Sequence, residues 1–113
     1  MFEPVGALPA QGVRLPTGFF AYASSPPSIP VTISAAIQAI NKTQTATIRS
    51  WEELRVSGRV IISEICEAID RCDFFCADVS GTNANVMFEV GYAIATNKRI
   101  WLIRDESYAD AKK

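Results

Sequence analysis

The chain contains no histidine, which removes Ser-His-Asp and Cys-His nucleophile activation and every histidine-ligated metal site. Cysteine is scarce: Cys66, Cys72 and Cys76 are three in number, an odd count in a spacing that matches neither a disulfide framework nor a zinc finger. Cys66 and Cys72 fall in a predicted helix and Cys76 in a predicted strand, where free thiols act as small buried apolar groups. No sign of charge dominates. Eleven Lys/Arg against twelve Asp/Glu give a net charge of −1, and the lack of a basic block argues against non-specific nucleic-acid binding. The apolar runs are only a few residues long, far short of the roughly 18 needed to cross a bilayer. No Lys or Arg precedes Arg14 and no compact apolar run follows it, so the start does not read as a secretory signal and a cytoplasmic location is the expectation. The acids show no convergent spacing, so no metal site is expected. No internal repeat or low-complexity segment occurs.

What is present suits one globular core. Apolar residues make up 49% and charged residues 20% of the 113 residues, close to average folded usage, and the length matches a single domain. All six prolines lie in the first 30 residues. Residues 1–17 lack both helical and alternating periodicity and read as an extended leader or an arm packing on a neighbour, with the folded unit spanning 18–113. Residues 107–113 are too short for a further complete β-α unit, so the expectation is a domain from a longer protein.

Along that unit the pattern predicts β-α-β-α-β-α-β. Phe19–Ala23 reads as a buried first strand, and Ser24–Pro30 as a loop punctuated by Pro26, Pro27 and Pro30. Ile33, Ile37 and Ile40 recur at helical spacing over about 31–41. Thr45–Arg49 is a short, partly β-branched strand candidate. Ser50-Trp51-Glu52-Glu53 has the form of a capping box opening a short helix that ends before Gly58; Trp51 is then a core anchor or a cleft wall. A second helix places Ile61, Ile62, Ile65 and Ile69 on one stripe, with Ser57 available as its cap. Asp73–Asp78 is an apolar stretch bounded by acids, the pattern of a buried parallel strand. Val86, Val90, Ala93 and Ile94 mark a third helix from Ala84 to Thr96, with Gly91 letting it lie close to a sheet, and Arg99–Arg104 supplies the last strand.

Apolar strands alternating with amphipathic helices imply a parallel sheet with right-handed crossovers and helices on both faces. Ligands then sit beyond the strands' C-terminal ends where strand order reverses. With the first strand central, that crevice is lined by Ser24–Pro27 and Val79–Asn85. The Ser/Gly/Thr/Asn-rich loop at 80–85 delivers the chain into a helix N-terminus, whose free amides favour a phosphate or a ribose hydroxyl; the alternative is that Asn83 or Asn85 is simply an N-cap. Glu89 stands among Val86, Met87, Phe88, Val90, Gly91, Tyr92 and Ala93, with little polar face to solvate it, and is expected to face a cleft. Asn85, one turn earlier, and Tyr92, nearly one turn later, can share its face. The competing expectation is a helix-surface Glu89 paired with Lys98 or Arg99 of the chain or of a partner.

Residues 73–102, with Glu89-Val90-Gly91-Tyr92-Ala93 after an acidic strand and loop, resemble the nucleoside 2-deoxyribosyltransferase family. The pattern from Phe19 onward through Asn85-Val86-Met87-Phe88-Glu89 also resembles TIR-like domains of bacterial immune proteins. Both resemblances imply a flavodoxin-like sheet. The first implies that Glu89 is the nucleophile attacking the anomeric carbon of a nucleoside, as in retaining glycosidases, with Asn83 contacting the sugar or phosphate and Asp73 matching the acid that opens the strand. The second implies cleavage of the nicotinamide glycosidic bond of NAD, work in homo-oligomers or with further domains, and a place in bacterial antiviral defence. Two positions depart from the transferase pattern. Ile65, with Glu64 adjacent, stands where that family has a second catalytic Asp, and Phe20 replaces its first-strand tyrosine, with Tyr22 on the same side of the strand two residues on.

The expectation is therefore a nucleotide- or nucleoside-processing N-glycosidase that needs no bound cofactor, NAD or a nucleoside being substrate. Glu89 is the catalytic candidate, and Tyr22, Ser24, Trp51, Asp78, Asn83 and Asn85 are the substrate-binding candidates. The alternative is a non-catalytic nucleotide-sensing or self-associating signalling module.

Overall fold

A computed structural model describes residues 14–54 and 62–105. Strands β1 (Thr17–Ala21), β2 (Thr47–Ser50), β3 (Phe74–Asp78) and β4 (Arg99–Ile103) alternate with helices α1 (Ser28–Thr43), α2 (Ile62–Arg71) and α3 (Ala84–Ala95). Two 3-10 turns, Trp51–Leu54 and Ser80–Thr82, follow β2 and β3. The strands form one four-stranded sheet in the order β2-β1-β3-β4, every pair parallel. This is a flavodoxin-like α/β architecture, with order reversing beside the central β1 as the alternation predicts.

Because side chains alternate across a strand, β1 feeds two cores. Phe19 and Ala21 join Phe75 and Ala77 of β3 on one face, under Ile65 and Ile69 of α2 and Val86, Val90 and Ala93 of α3. Phe20 and Tyr22 join Cys76 and Ile48 on the other, under Ile33 and Ile37 of α1. Phe19 and Phe75, paired in register, stack with ring centroids 6.4 Å apart. The placement of Phe20 and Tyr22 on one face matches the period-2 expectation. All three cysteines are free; Cys72 and Cys76 are buried, and burial pushes the Cys76 thiol up to about 11.

Several boundaries move for local reasons. β1 begins at Thr17, inside the expected leader, because the Asp73 carboxylate accepts from the Thr17 amide at 2.8 Å and pairs with Arg14 at 3.3 Å. The Thr17 amide and then the Arg14 guanidinium hold the Asp73 carboxyl below its ordinary range. Residues 1–13 of that leader lie outside the described residues. α1 starts three residues earlier than the pattern of isoleucines suggests, with Pro30 inside its first turn, where a missing N–H costs nothing. Its Asn41 side chain accepts from the Ile48 amide at 2.7 Å and donates to the Ile48 carbonyl at 3.1 Å, clamping α1 to the edge strand β2.

The expected helix at Ser50 is a 3-10 turn, in which Ser50 Oγ accepts from the Glu52 amide at 3.3 Å. Ser57 and Ile61, expected as cap and stripe of α2, lie outside the described residues. Within α2, Ile65 and Ile69 are buried whereas Ile62 is 62% exposed. Gly91 does not bring α3 close to the sheet. A Cβ there would meet nothing within 4 Å, because Val86, Val90 and Ala93 take the inward face and residue 91 turns about 100° away from Val90. Ile94 is exposed for the same reason.

α3 is fastened to α2 by the Tyr92 hydroxyl, which donates to both Asp70 carboxylate oxygens at 2.9 Å. Lys98 Nζ donates to the carbonyls of Asp70 at 2.8 Å and Cys72 at 2.6 Å, a cation on the C-terminal end of α2. β4 forms one edge of the sheet and leaves Trp101, Leu102 and Ile103 exposed. Among the described residues no helix is long and apolar enough to cross a membrane.

Replacing Phe75 by Ala is expected to cost about 3–5 kcal/mol, as for other fully buried aromatics. Gly18→Ala is expected to cost about 1–3 kcal/mol by overpacking, because a Cβ at Gly18 would lie 2.3 Å from the Phe74 ring of the neighbouring strand. Both are read as lowered midpoints in urea unfolding.

Candidate functional site

Above the C-terminal ends of β1 and β3, at the reversal of strand order, lies an open cleft of about 270 Å³, near the lower end of small-molecule sites. It is large enough for a sugar and one heterocycle. The structure brings six of the sequence-derived candidates to its walls: Tyr22, Ser24, Trp51, Asn83, Asn85 and Glu89. Each arrives there for a local reason. Tyr22 and Ser24 continue the chain out of β1. Trp51 opens the turn after β2, its Nε1 donating to the Tyr22 carbonyl at 3.0 Å and its ring 5.5 Å from that of Tyr22. Trp51 is thus both anchor and wall, since it also packs against both cores.

Asn83 is the N-cap of α3: its Oδ1 accepts from the Val86 amide at 3.1 Å, satisfying one of the helix's orphan donors. Capping and cleft lining coexist, because only the oxygen of the amide is used for the cap. Asn85 and Glu89 follow one turn apart on the cleft side of α3. Tyr92 does not join them. It sits about 10 Å along the axis from Asn85, beyond the cleft and against Asp70.

Glu89 is the chemically distinctive group. It is 6% exposed, on the cleft wall, and no hydrogen bond or ion pair joins its carboxyl to another described residue. Lys98, one of its expected surface partners, is occupied at the end of α2. Burial alone raises the Glu89 carboxyl from 4.5 to about 7. Its charge is felt by Cys66, whose thiol is raised first by burial, then by Asp70 and by Glu89. A carboxyl so placed is a group near neutrality, able to act as anion or acid.

Two expected acids lie elsewhere. Asp78 does not line the cleft; although buried at the end of β3, it accepts from the Ser80 amide at 3.0 Å and the Ser80 hydroxyl at 2.7 Å. Ser80 Oγ in turn accepts from the Asp105 amide at 2.8 Å, so Asp78 shapes the loop after β3. Asp73 stands at the other end of that strand, against Thr17 and Arg14. At the position of the second acid in the transferase pattern, Ile65 is buried on the cleft wall, and the adjacent Glu64 lines a different hollow on the α2 side of the sheet. Ile62 and Phe88 also wall the cleft. Both are exposed apolar residues on helices. Phe88 could have been found as an apolar side chain outside the core stripe of α3, whereas Ile62 was expected on the buried stripe of α2. Among the described residues no cluster of His, Cys, Asp or Glu could hold a metal ion.

Comparison with protein-family models and with curated proteins finds no match to this chain.

The raised Glu89 carboxyl sets a pH dependence of stability. Between about 4.5 and about 7 the folded state keeps a proton that the unfolded chain releases, so stability falls as pH rises through this window and levels above it. The loss is at most about 3 kcal/mol, and less where water enters the open mouth. Glu89→Gln is expected to remove this component. The variant should gain on the wild type between pH 5 and pH 8 in paired urea unfolding curves.

Proposed function

We propose that this domain cleaves the N-glycosidic bond of a nucleoside or nucleotide, with Glu89 as the group that meets the anomeric carbon. The observation that carries this reading is a buried carboxyl with no hydrogen-bond or ion-pair partner among the described residues, on the wall of an open cleft at the reversal of strand order. A carboxylate in such surroundings is desolvated, which raises its basicity, and it can either form a glycosyl ester or stabilise an oxocarbenium ion. The surrounding groups suit a sugar bearing a flat base. Asn83, Asn85 and Ser24 supply amide and hydroxyl partners for ribose or phosphate oxygens, and the amides at the start of α3 favour an anion. The rings of Tyr22 and Trp51 offer apolar surface on which a base can stack.

The resemblance to nucleoside 2-deoxyribosyltransferases and to TIR-like domains supports the same chemistry and suggests NAD or a nucleoside as substrate. Activity in a homo-oligomer or beside further domains, a cytoplasmic setting and a role in bacterial defence belong to this proposal. A second reading, a nucleotide-sensing or self-associating module without catalysis, is favoured by one observation: Ile65 occupies the wall where the transferase pattern has an acid.

Incubation with NAD and with common nucleosides, followed by chromatography of the released base, separates the two readings. Glu89→Gln is expected to bind ligand as the wild type does and to lose at least about a hundredfold in cleavage rate, the size of effect that removing a transition-state charge partner produces. If the anion is the reactive form, the wild-type rate should climb with pH up to about 7, as the carboxyl ionises. Cleavage by Glu89→Gln at the wild-type rate would refute the assignment.

A further inference from the structure

Independently of the chemistry at the cleft, whose wall is built from other elements than β4, we infer that β4 is a self-pairing edge. It joins β4 of a second copy, antiparallel about a two-fold axis at Leu102, into one continuous sheet. Residues 100–103 are an unbroken apolar run, the pattern of a strand covered on both faces inside a parallel sheet. Yet among the described residues β4 has β3 on one side and no strand on the other. Trp101, in register with Cys76 on the α1 face, is 62% exposed and has its ring centroid 5.8 Å from that of Phe74. Leu102, in register with Ala77 on the opposite face, is 53% exposed. Edges that stay solitary are blunted by proline or by an inward charge, and residues 100–103 contain neither.

The backbone dictates how a strand can join. The Val79 amide donates to the Ile103 carbonyl at 2.9 Å and the Asp105 amide to Ser80 Oγ at 2.8 Å, so Trp101, Ile103 and Asp105 turn their backbone groups toward β3. Those of Ile100, Leu102 and Arg104, the alternate residues, point to the open edge. An antiparallel copy centred on Leu102 pairs Leu102 with Leu102 and Ile100 with Arg104, each pair exchanging both of its N–H···O bonds. At the closer positions between them Trp101 meets Ile103, an aromatic on a β-branched side chain, and Arg99 meets Asp105, a cation on an anion. This charge match selects both the occupant and its direction. Parallel pairing in register sets Arg99 beside Arg99 and Arg104 beside Arg104, and an antiparallel register centred on Trp101 sets Arg104 against Lys98. The two-fold makes the contact isologous, so it closes at two copies.

Sedimentation equilibrium of the 113-residue chain from about 1 to about 100 μM tests the assembly. The expected result is a monomer giving way to a dimer across this range. Arg99→Asp and Asp105→Arg each set like charges opposite one another at both ends of the shared edge, and each is expected to weaken dimerisation about tenfold or more. An equimolar mixture of the two variants restores opposite charges at both ends and is expected to dimerise as the wild type does, which also shows that both variants fold. Amide hydrogen exchange locates the contact: protection of Ile100, Leu102 and Arg104 should rise with concentration, while Trp101 and Ile103, which face β3, change little. A monomer over the whole range overturns the inference, and protection of the same amides in that monomer assigns the edge to another segment of the chain. A dimer that either variant forms as tightly as the wild type, a mixture no tighter than its components, or a dimer without that alternate protection overturns it as well.

Discussion

The burial of β1 on both faces is the constraint from which the remaining geometry follows. A strand with Phe19 and Ala21 on one side and Phe20 and Tyr22 on the other cannot occupy an edge without exposing an apolar face. It takes the centre, α1 covers one side, and α2 and α3 cover the other. Once β1 is central, the chain must leave toward β2 in one direction and return to β3 in the other. The loops after β1 and β3 then part at its C-terminal end. The cleft is the space between them, walled by the residues just beyond β1 and β2 and by parts of α2 and of the first turns of α3.

Around the cleft, hydrogen bonding is divided between structure and chemistry. Asn83 caps α3 with its oxygen, Asp78 anchors the Ser80 turn and Trp51 anchors to the Tyr22 carbonyl. These contacts hold the walls in place by satisfying groups that would be costly to leave unpaired. Glu89 stands apart, buried with no such partner among the described residues. A carboxyl in that condition is expensive to ionise, and its energetic cost is the physical reason for reading it as a group set toward a ligand. Tyr92 and Lys98, close to it in sequence, secure α3 against α2 and so fix the depth at which Glu89 sits.

Much of the fold was legible because its signals are periodic. The isoleucines at 33 and 37 and at 65 and 69, the valines at 86 and 90, and the unbroken apolar stretch 74–77 each specify an element and its inward face. The capping asparagine and the exit of Ser24 from the first strand were equally local. Less was legible where one residue answers to a partner far along the chain. Asn41 clamps Ile48, Asp73 holds Thr17 and Arg14, and Asp78 is turned to its own loop; none of these follows from spacing. Tyr92 shares a helical stripe with Asn85, yet a helix that rises about 1.5 Å per residue carries it past the cleft to Asp70.

Sequence alone determined the alternation of strands and helices, the lack of histidine chemistry and the oddity of an acid within an apolar helix. Those properties reside in residue identity and in periods of two and of 3.6, which need no knowledge of the rest of the chain. Tertiary structure decided which polar groups meet at the cleft and which are spent elsewhere. It separated Glu89 from Asp73 and Asp78, placed Ile65 on the same cleft wall and turned Glu64 to another surface. Side-chain chemistry depends on distance in space, and parallel crossovers bring together segments whose separation along the chain carries no record of that meeting.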